Sequence, residues 1–176
     1  MIQVDGDYRM PIDGSRDDLI RSLIGKRLTG LARSQYVFNG EADEVDAGDL
    51  EFTFDNETKI TLELASDGES VLARDGALSL PEPFDLDAES HCSWVSVDLL
   101  QASRFAVLRH SILQAAYAVI GRWPAPVRDE FQIGWLLRFD DGQELTYFNN
   151  GDDAVILLED TIPASAEMEI LIREMV

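Results

Sequence analysis

The sequence predicts an α+β protein that is mostly antiparallel β-sheet with one or two helices, in a single compact domain over residues 1–176. Three observations support this class. Residues 134–150 place an Asp-Gly pair between two apolar runs, which is a strong hairpin signal. Residues 49–64 form a similar pattern 85 positions earlier. Apolar residues alternate with polar ones over several further stretches, as expected for half-buried strands.

The offset of 85 also predicts an internal duplication of a β-meander unit, with repeat units 15–98 and 103–176. Nine pairs match at this offset: Leu28/Leu113, Phe54/Phe139, Asp55/Asp140, Ile60/Leu145, Thr61/Thr146, Asp67/Asp152, Val71/Ile156, Leu72/Leu157 and Asp75/Asp160. One meander buries only one face, so two copies would pair as two sheets or fuse into one long sheet. The alternative is two unrelated meanders with similar turns.

In the first half, we expect a helix that begins at Ser15 and ends at Gly25, because Ser is a good N-cap and Asp17 and Asp18 suit the first turn. Residues 39–48 are polar and rich in turn-forming residues, which indicates a loop. The predicted strands cover residues 26–38, the two arms of the hairpin at 49–64, residues 70–74 and residues 91–98, with a Pro-rich connection at 81–83.

The second half repeats this order. Residues 105–120 suit a helix or a strand. Residues 123–130 form the loop equivalent to 39–48. Asp141 and Gly142 are expected in a two-residue type I′ turn, in which both residues have positive φ. A strand follows at 154–158, and we favour a strand over a helix for the alternating tail at 167–173.

The charge balance restricts the possible partners. The chain has 34 acidic residues against 14 basic ones, a formal net charge of −20. Nucleic acids and anionic membranes need a basic surface, so neither is an expected partner. A basic protein partner fits this charge, and a merely well-solvated surface fits it too. The single cysteine, the absence of a signal-peptide pattern and the short longest apolar run (115–120) predict a soluble, cytoplasmic protein.

No pattern in the sequence predicts catalysis, a metal or a cofactor. The nucleophile-elbow, phosphate-loop, dinucleotide-binding and zinc-protease motifs are all missing from the sequence. His91 and Cys92 are adjacent on a predicted strand, so they point to opposite faces and cannot form a pair. The paired aspartates fall in predicted turns, where Asp bonds its own backbone. We therefore expect a protein that is not an enzyme.

Residues 134–150, with their Phe-Asp-Asp-Gly turn and Tyr-Phe-Asn-Asn end, resemble a hairpin in small acidic immunity proteins of contact-dependent growth inhibition systems. The echo at 49–64 departs from this pattern, with Glu57 in place of Gly142. The resemblance implies an inhibitor that neutralises a toxin, for instance a nuclease, whose basic cleft an acidic face would cover.

The predicted partner-binding residues lie in the two loops before the hairpins or, for Asp49, directly after the first loop: Glu41, Asp43, Glu44, Asp46, Asp49, Trp123, Asp129 and Glu130. The acids would dock a basic partner and the tryptophan would supply an aromatic contact. Two other functions remain open. One is a ligand-binding or enzymatic domain with a pocket between the two units. The other is an adaptor that dimerises through a sheet edge.

Overall fold

The computed structural model describes residues 14–43, 45–102, 104–127, 129–165 and 167–175. It contains two antiparallel sheets, one in each predicted repeat unit. The predicted class, mostly antiparallel β-sheet with small helices, is confirmed. The stretch 1–13 and the side chain of Ser15, the predicted helix cap, lie outside the described residues.

The first half begins with a helix, and its strands form the first sheet. These elements are α1 (Gly14–Arg21), β1 (Leu28–Phe38), β2 (Glu41–Ala42), β3 (Leu50–Phe54), β4 (Lys59–Leu64), β5 (Val71–Asp75), β6 (Phe84–Asp87) and β7 (Ser90–Asp98). The strand order is β5-β4-β3-β1-β7-β6, and β2 pairs only with the end of β1.

The second half begins with two short helical segments, and its strands form the second sheet. These elements are α2 (Leu99–Ala102), a 3-10 helix (Arg104–Leu108), β8 (Leu113–Arg122), β9 (Glu130–Phe139), β10 (Glu144–Asn149), β11 (Ala154–Leu158) and β12 (Glu169–Glu174). The strand order is β11-β10-β9-β8-β12. The ambiguous stretch 105–120 thus divides into a short helix and a strand, and the tail is a strand as favoured.

The two sheets share one topology over five strands. In each, a four-strand meander is followed by a strand that returns to pair with the first strand of the meander. The registers match as well: Leu28 lies opposite Phe54, and Leu113 lies opposite Phe139. The register of each strand pair shifts directly after this leucine, between Leu28 and Gly30 and between Leu113 and Ala115. One unpaired residue in a strand produces such a β-bulge.

The two sheets meet through a pseudo-twofold arrangement centred on an antiparallel bridge between Arg27 and Ile112, which are 85 positions apart. The backbone hydrogen bonds around the bridge occur in equivalent pairs: Leu28 N to Ser111 O (2.9 Å) with Leu113 N to Lys26 O (3.0 Å), and Gly25 N to Leu113 O (2.8 Å) with His110 N to Leu28 O (2.9 Å). Such symmetry is what a duplication would produce, although the duplication itself stays a prediction.

The offset of 85 does not extend to the last strand of each meander. Leu64 pairs with Val71 in the first sheet, whereas Asn149 pairs with Ala154 in the second. The equivalent of Val71 is therefore Ala154. The predicted pairs Val71/Ile156, Leu72/Leu157 and Asp75/Asp160 are wrong by two residues, because the loop at 150–153 is two residues shorter than the loop at 65–70.

The turn at Asp141 and Gly142 also differs from the prediction. Gly142 has φ of 88°, whereas Asp141 is not among the residues with positive φ, so this is not a type I′ turn. Phe139 O accepts from Gly142 N (3.0 Å) and Phe139 N donates to Gln143 O (2.9 Å), the pattern of a three-residue loop with a bulge. Glu57, the equivalent of Gly142, adopts the same left-handed conformation with φ of 64°.

The main core lies between the two sheets and contains side chains of both. Phe52, Phe54 and Ile60 of the first sheet and Trp135, Phe139 and Tyr147 of the second are at most 1% exposed. The second sheet carries a smaller apolar cluster on its outer face, formed by Val119, Phe131, Ile133 and Phe148. This cluster explains why strands β9 and β10 are buried on both faces.

Candidate functional site

The outer face of the first sheet carries four partly exposed aromatic side chains, which we call the aromatic face: Tyr36, Phe38, Phe84 and Trp94. Tyr36 pairs with Trp94 across β1 and β7, and their rings are 5.2 Å apart between centroids. The Trp94 and Phe84 rings are 5.9 Å apart. Phe38 and Phe84 are 40% and 47% exposed. Exposed aromatic residues in contact are typical of protein-binding surfaces.

The side chain of Cys92 lies on the same face, buried among these rings. Its register places it between Phe38 and Phe84, and it is 1% exposed. The Tyr36 hydroxyl donates to Cys92 Sγ at 3.1 Å. This hydrogen bond, together with burial, raises the pKa of Tyr36 above its usual range, so the phenol stays neutral. The hydrogen bond also fixes the orientation of the Tyr36 ring.

A tight hairpin places two of the predicted acidic residues beside the aromatic face. Asn39 and Gly40 both have positive φ, 50° and 83°, as a type I′ turn requires. Glu41 then pairs with Phe38, and Asp43 N donates to Tyr36 O at 2.9 Å. The predicted loop 39–48 therefore begins with a hairpin turn. The Asn-Gly pair at 39–40 is the sequence signal for this turn.

The edge strand β6 adds further negative charge next to Phe84. Asp85 and Asp87 are both exposed, and Asp85 Oδ1 lies 2.7 Å from His91 Nδ1. The amide of Glu89 and the side chain of Ser90 lower the pKa of Asp87, so this carboxylate stays ionised. We call Glu41, Asp43, Asp85 and Asp87 the acidic rim. Residues 34–58 and 75–103 contain no lysine or arginine, so this part of the surface is negative.

Asp46, another predicted binding residue, instead joins the two sheets. Its Oδ1 accepts hydrogen bonds from Gly48 N (2.9 Å) and from Ala154 N (3.0 Å). Ala47 N donates to Ala154 O at 2.9 Å. The Tyr147 hydroxyl donates to Gly48 O at 3.0 Å. These contacts attach residues 46–48 to the second sheet and give Asp46 a structural role.

Asp49 lies beside this junction in a partly buried position. Burial, together with the nearby carboxylates of Glu63 and Asp46, raises the pKa of Asp49 to about 6, although Arg74 acts in the opposite direction. Burial also raises the pKa of Tyr147 well above its usual value. Asp49 is therefore more a part of the sheet junction than of the exposed rim.

The second predicted loop lies elsewhere. Strands β1 and β8 run in opposite directions from the Arg27–Ile112 bridge, so the loops at their far ends do not form one surface. Trp123 packs on Phe131, with ring centroids 6.0 Å apart, in the outer cluster of the second sheet. Asp129 is exposed, and its backbone O accepts from Trp123 N at 3.1 Å. Glu44, also predicted to bind, lies outside the described residues.

Glu130 differs from the rim acids because its charge is compensated. Its carboxylate contacts Arg122 at 2.6 Å and Arg173 at 2.8 Å. Hydrogen bonds from these two arginines lower the pKa of Glu130. A carboxylate held by two guanidinium groups presents little net charge to a partner, so the acidic rim of the first sheet is the more negative surface.

The aromatic face was missed by sequence reasoning. Its signal was present, because Tyr36 and Phe38, like Cys92 and Trp94, alternate with residues of the opposite face. Alternation alone does not tell which of the two faces is covered. The pairing of β1 with β7 places these rings side by side, and it brings together residues more than 50 positions apart.

Two further features are absent from the described part of the chain. No group of three or more His, Cys, Asp or Glu residues there could hold a metal ion. No helix there is long and apolar enough to cross a membrane. Neither finding changes the surface described above, which consists of aromatic rings and carboxylates.

The geometry therefore presents one surface suited to binding another protein, the aromatic face with its acidic rim. Comparison with known proteins assigns this chain to no family, because no protein-family model, no curated protein and no solved structure matches it.

Proposed function

We propose that this protein is an inhibitory, immunity-type binding protein that docks on a basic toxin through the aromatic face and its acidic rim. The observation that carries the proposal is the position of Glu41 and Asp43 beside the exposed ring of Phe38 and the ring of Tyr36. An arginine of a partner would find a carboxylate and an aromatic ring within one small area, and guanidinium groups bind both.

This surface suits the inhibition of a nuclease. A nuclease cleft is basic because it holds phosphates, and a carboxylate-rich surface competes for the same arginines and lysines. The net charge of −20 would also accelerate the encounter. Tyr36 and Trp94 would contribute affinity in the centre of the contact, where tryptophan, tyrosine and arginine dominate binding energies.

The test begins with the protein encoded directly upstream, expressed with and without this chain. Growth rescue and a stable complex are the expected results. Trp94→Ala should then weaken the complex by about 30-fold or more, because tryptophans at binding centres typically contribute 2 kcal/mol or more. Phe38→Ala should weaken the same complex to a smaller extent, since its ring is at the margin of the face.

Charge reversal supplies the matched control. Glu41→Lys with Asp43→Lys should slow association by about 10-fold or more at low salt, and the effect should shrink at high salt. Asp153→Lys with Glu174→Lys changes the net charge equally at exposed positions of the second sheet. Equal slowing by both pairs would contradict a localised docking surface, as would a complex that Trp94→Ala leaves unchanged.

A further inference from the structure

Each sheet has a segment that crosses its outer face and connects the last strand of the meander to the opposite edge. Residues 76–83 cross the first sheet, and residues 159–165 with 167 and 168 cross the second. The two crossovers begin alike: Gly76 N donates to Lys59 O (2.8 Å), and Glu159 N donates to Glu144 O (2.9 Å). Both first residues have positive φ, 116° and 60°.

The first crossover is hydrogen-bonded to the sheet below it. Leu78 N donates to Glu51 Oε2 at 2.6 Å, and the Thr61 hydroxyl donates to Gly76 O at 3.0 Å. Glu51 and Thr61 are only 8% and 0% exposed as a result. The crossover therefore covers this part of the first sheet.

The second crossover lacks both contacts. Leu136 and Thr146 are the equivalents of Glu51 and Thr61 at the offset of 85, and a leucine offers no acceptor to a backbone amide. A cleft of about 600 Å³ lies between this crossover and the sheet. Thr146 lines the cleft and is 3% exposed, and no described residue forms a hydrogen bond with its hydroxyl.

The lining of the cleft indicates the chemistry of a ligand. Its apolar side chains are Leu136, Ile162, Met168, Ile170 and Ile172. Its charged side chains are four carboxylates, Glu144, Glu159, Asp160 and Glu169, and none of the lining residues is basic. Arginines outside the lining pair with three of these acids. Glu159 has no ion pair among the described residues; its Oε1 accepts a hydrogen bond from the Glu144 amide, which leaves its other oxygen for a ligand.

We propose that this cleft binds a small amphipathic amine. The apolar body would lie against Leu136 and Ile170, the ammonium group would be held by the carboxylate of Glu159, and an N–H would donate to the Thr146 hydroxyl. The volume is in the usual range for small-molecule sites, which combine an apolar lining with a few polar groups. An anionic ligand of the same shape would bind more weakly, because no lining residue is basic and the carboxylate of Glu159 has no ion pair among the described residues.

The test uses 4-phenylbutylamine and the matched acid 4-phenylbutyrate as probes, titrated into the full chain at pH 7 by calorimetry. We expect the amine to bind with a Kd below about 1 mM, a reasonable affinity for so small a ligand, and the acid to bind at least tenfold more weakly. Thr146→Val and Glu159→Gln should each weaken amine binding at least fivefold. Thr61→Val, the same substitution in the first sheet, should leave it unchanged.

Three results would overturn the proposal. The first is no binding of the amine up to 10-fold above the expected Kd, in protein whose circular dichroism is that of a folded β protein. The second is equal binding of the amine and the acid, which would mean that the carboxylates do not select charge. The third is equal weakening by Thr61→Val and Thr146→Val, which would place the amine outside this cleft.

Discussion

The first sheet and the second sheet share strand order, register and the start of their crossovers, yet their outer faces differ. In the first sheet Glu51 accepts the Leu78 amide and contacts Lys59 at 2.6 Å, so the crossover is closed onto the strands. In the second sheet Leu136 occupies the equivalent position, and a cleft remains under residues 159–165.

A difference at one pair of equivalent positions, Glu51 and Leu136, changes the outer surface, while the two sheets keep the same strand order and register. The inner faces of both sheets must pack against each other, so apolar residues at equivalent positions are retained. The outer faces meet solvent, and there the carboxylate of Glu51 accepts the Leu78 amide of the first crossover, which Leu136 at the equivalent position of the second sheet cannot do. The first sheet then carries the partly exposed aromatic face at its β1–β7 end, and the second carries a cleft.

The close approach of strands β9 and β10 at Gly134 in the second sheet offers the largest test. Gly134 is the equivalent of Asp49, but a Cβ at Gly134 would lie 2.1 Å from Tyr147 O and 2.7 Å from Phe148 Cα. Gly134→Ala should lower the free energy of unfolding by about 3 kcal/mol or more, because backbone atoms must move. Denaturant unfolding measures this. Gly151→Ala, where nothing lies within 4 Å, should cost about 1 kcal/mol through its positive φ; a similar loss for both would contradict the close approach.

Glu51→Leu gives the first sheet the residue that the second sheet has at the equivalent position, Leu136. It leaves the Leu78 amide without an acceptor and Lys59 without its partner, so we expect a loss of about 2–3 kcal/mol. Burial disfavours the charge, but the hydrogen bonds from Lys59 and Leu78 N lower the pKa of Glu51, so the loss should be present at pH 7. Hydrogen exchange of residues 76–83 should increase. Unchanged exchange there would show that Glu51 does not hold the crossover.

Asp49→Asn tests the ionisable group at the sheet junction. The folded pKa of about 6 lies above the ordinary 3.8, so the folded protein binds the proton more tightly and gains stability as pH falls from about 6 towards 4. Above pH 6 the carboxylate opposes folding. Asparagine avoids this, and since the carboxyl is partly exposed, we expect a gain of about 1–2 kcal/mol at pH 7.

At pH 4 the difference between Asp49→Asn and the parent protein should approach zero. Thermal unfolding at pH 4, 5, 6 and 7 gives this profile. A constant difference across these pH values would mean that the carboxyl titrates at its usual pKa in the folded protein.

The smallest expected effect is the difference in stability between valine variants of the two equivalent threonines, Thr61 and Thr146. Thr61→Val removes the hydrogen bond to Gly76 O and should cost about 1 kcal/mol. Thr146→Val removes a hydroxyl that has no partner among the described residues, so it should change stability by less than about 0.5 kcal/mol. Chemical denaturation of both variants measures the difference, and equal costs would contradict the distinction between a closed and an open crossover.

Much of the fold was predictable because strand periodicity and turn residues are local signals. The strand at residues 154–158 and the equivalence of Phe54 with Phe139 needed only alternation and a constant offset. The equivalent pairs predicted after Leu64 were displaced by two residues, because the length of a surface loop can differ between the two halves without affecting the core. The type of turn at Gly142 was mistaken because Asp-Gly also fits the last two positions of a three-residue loop.

The candidate sites were less predictable because they depend on which surfaces are covered. Acidic loops were visible in the sequence, but Asp46 binds the other sheet and Glu130 binds two arginines, and both contacts join residues far apart in the chain. Trp94 and Trp135 also look alike in sequence. Trp135 is 0% exposed in the core, whereas Trp94 lies on the outer face.

The sequence by itself determined the fold class, most of the strands and the negative charge, since these follow from local periodicity and composition. Only the tertiary structure decided which acids remain uncompensated, which aromatic rings face solvent and where the crossover leaves a cleft. The physical reason is that burial and charge compensation depend on contacts between distant residues. Two equivalent positions, 51 and 136, acquire different surroundings only when each crossover folds over its sheet.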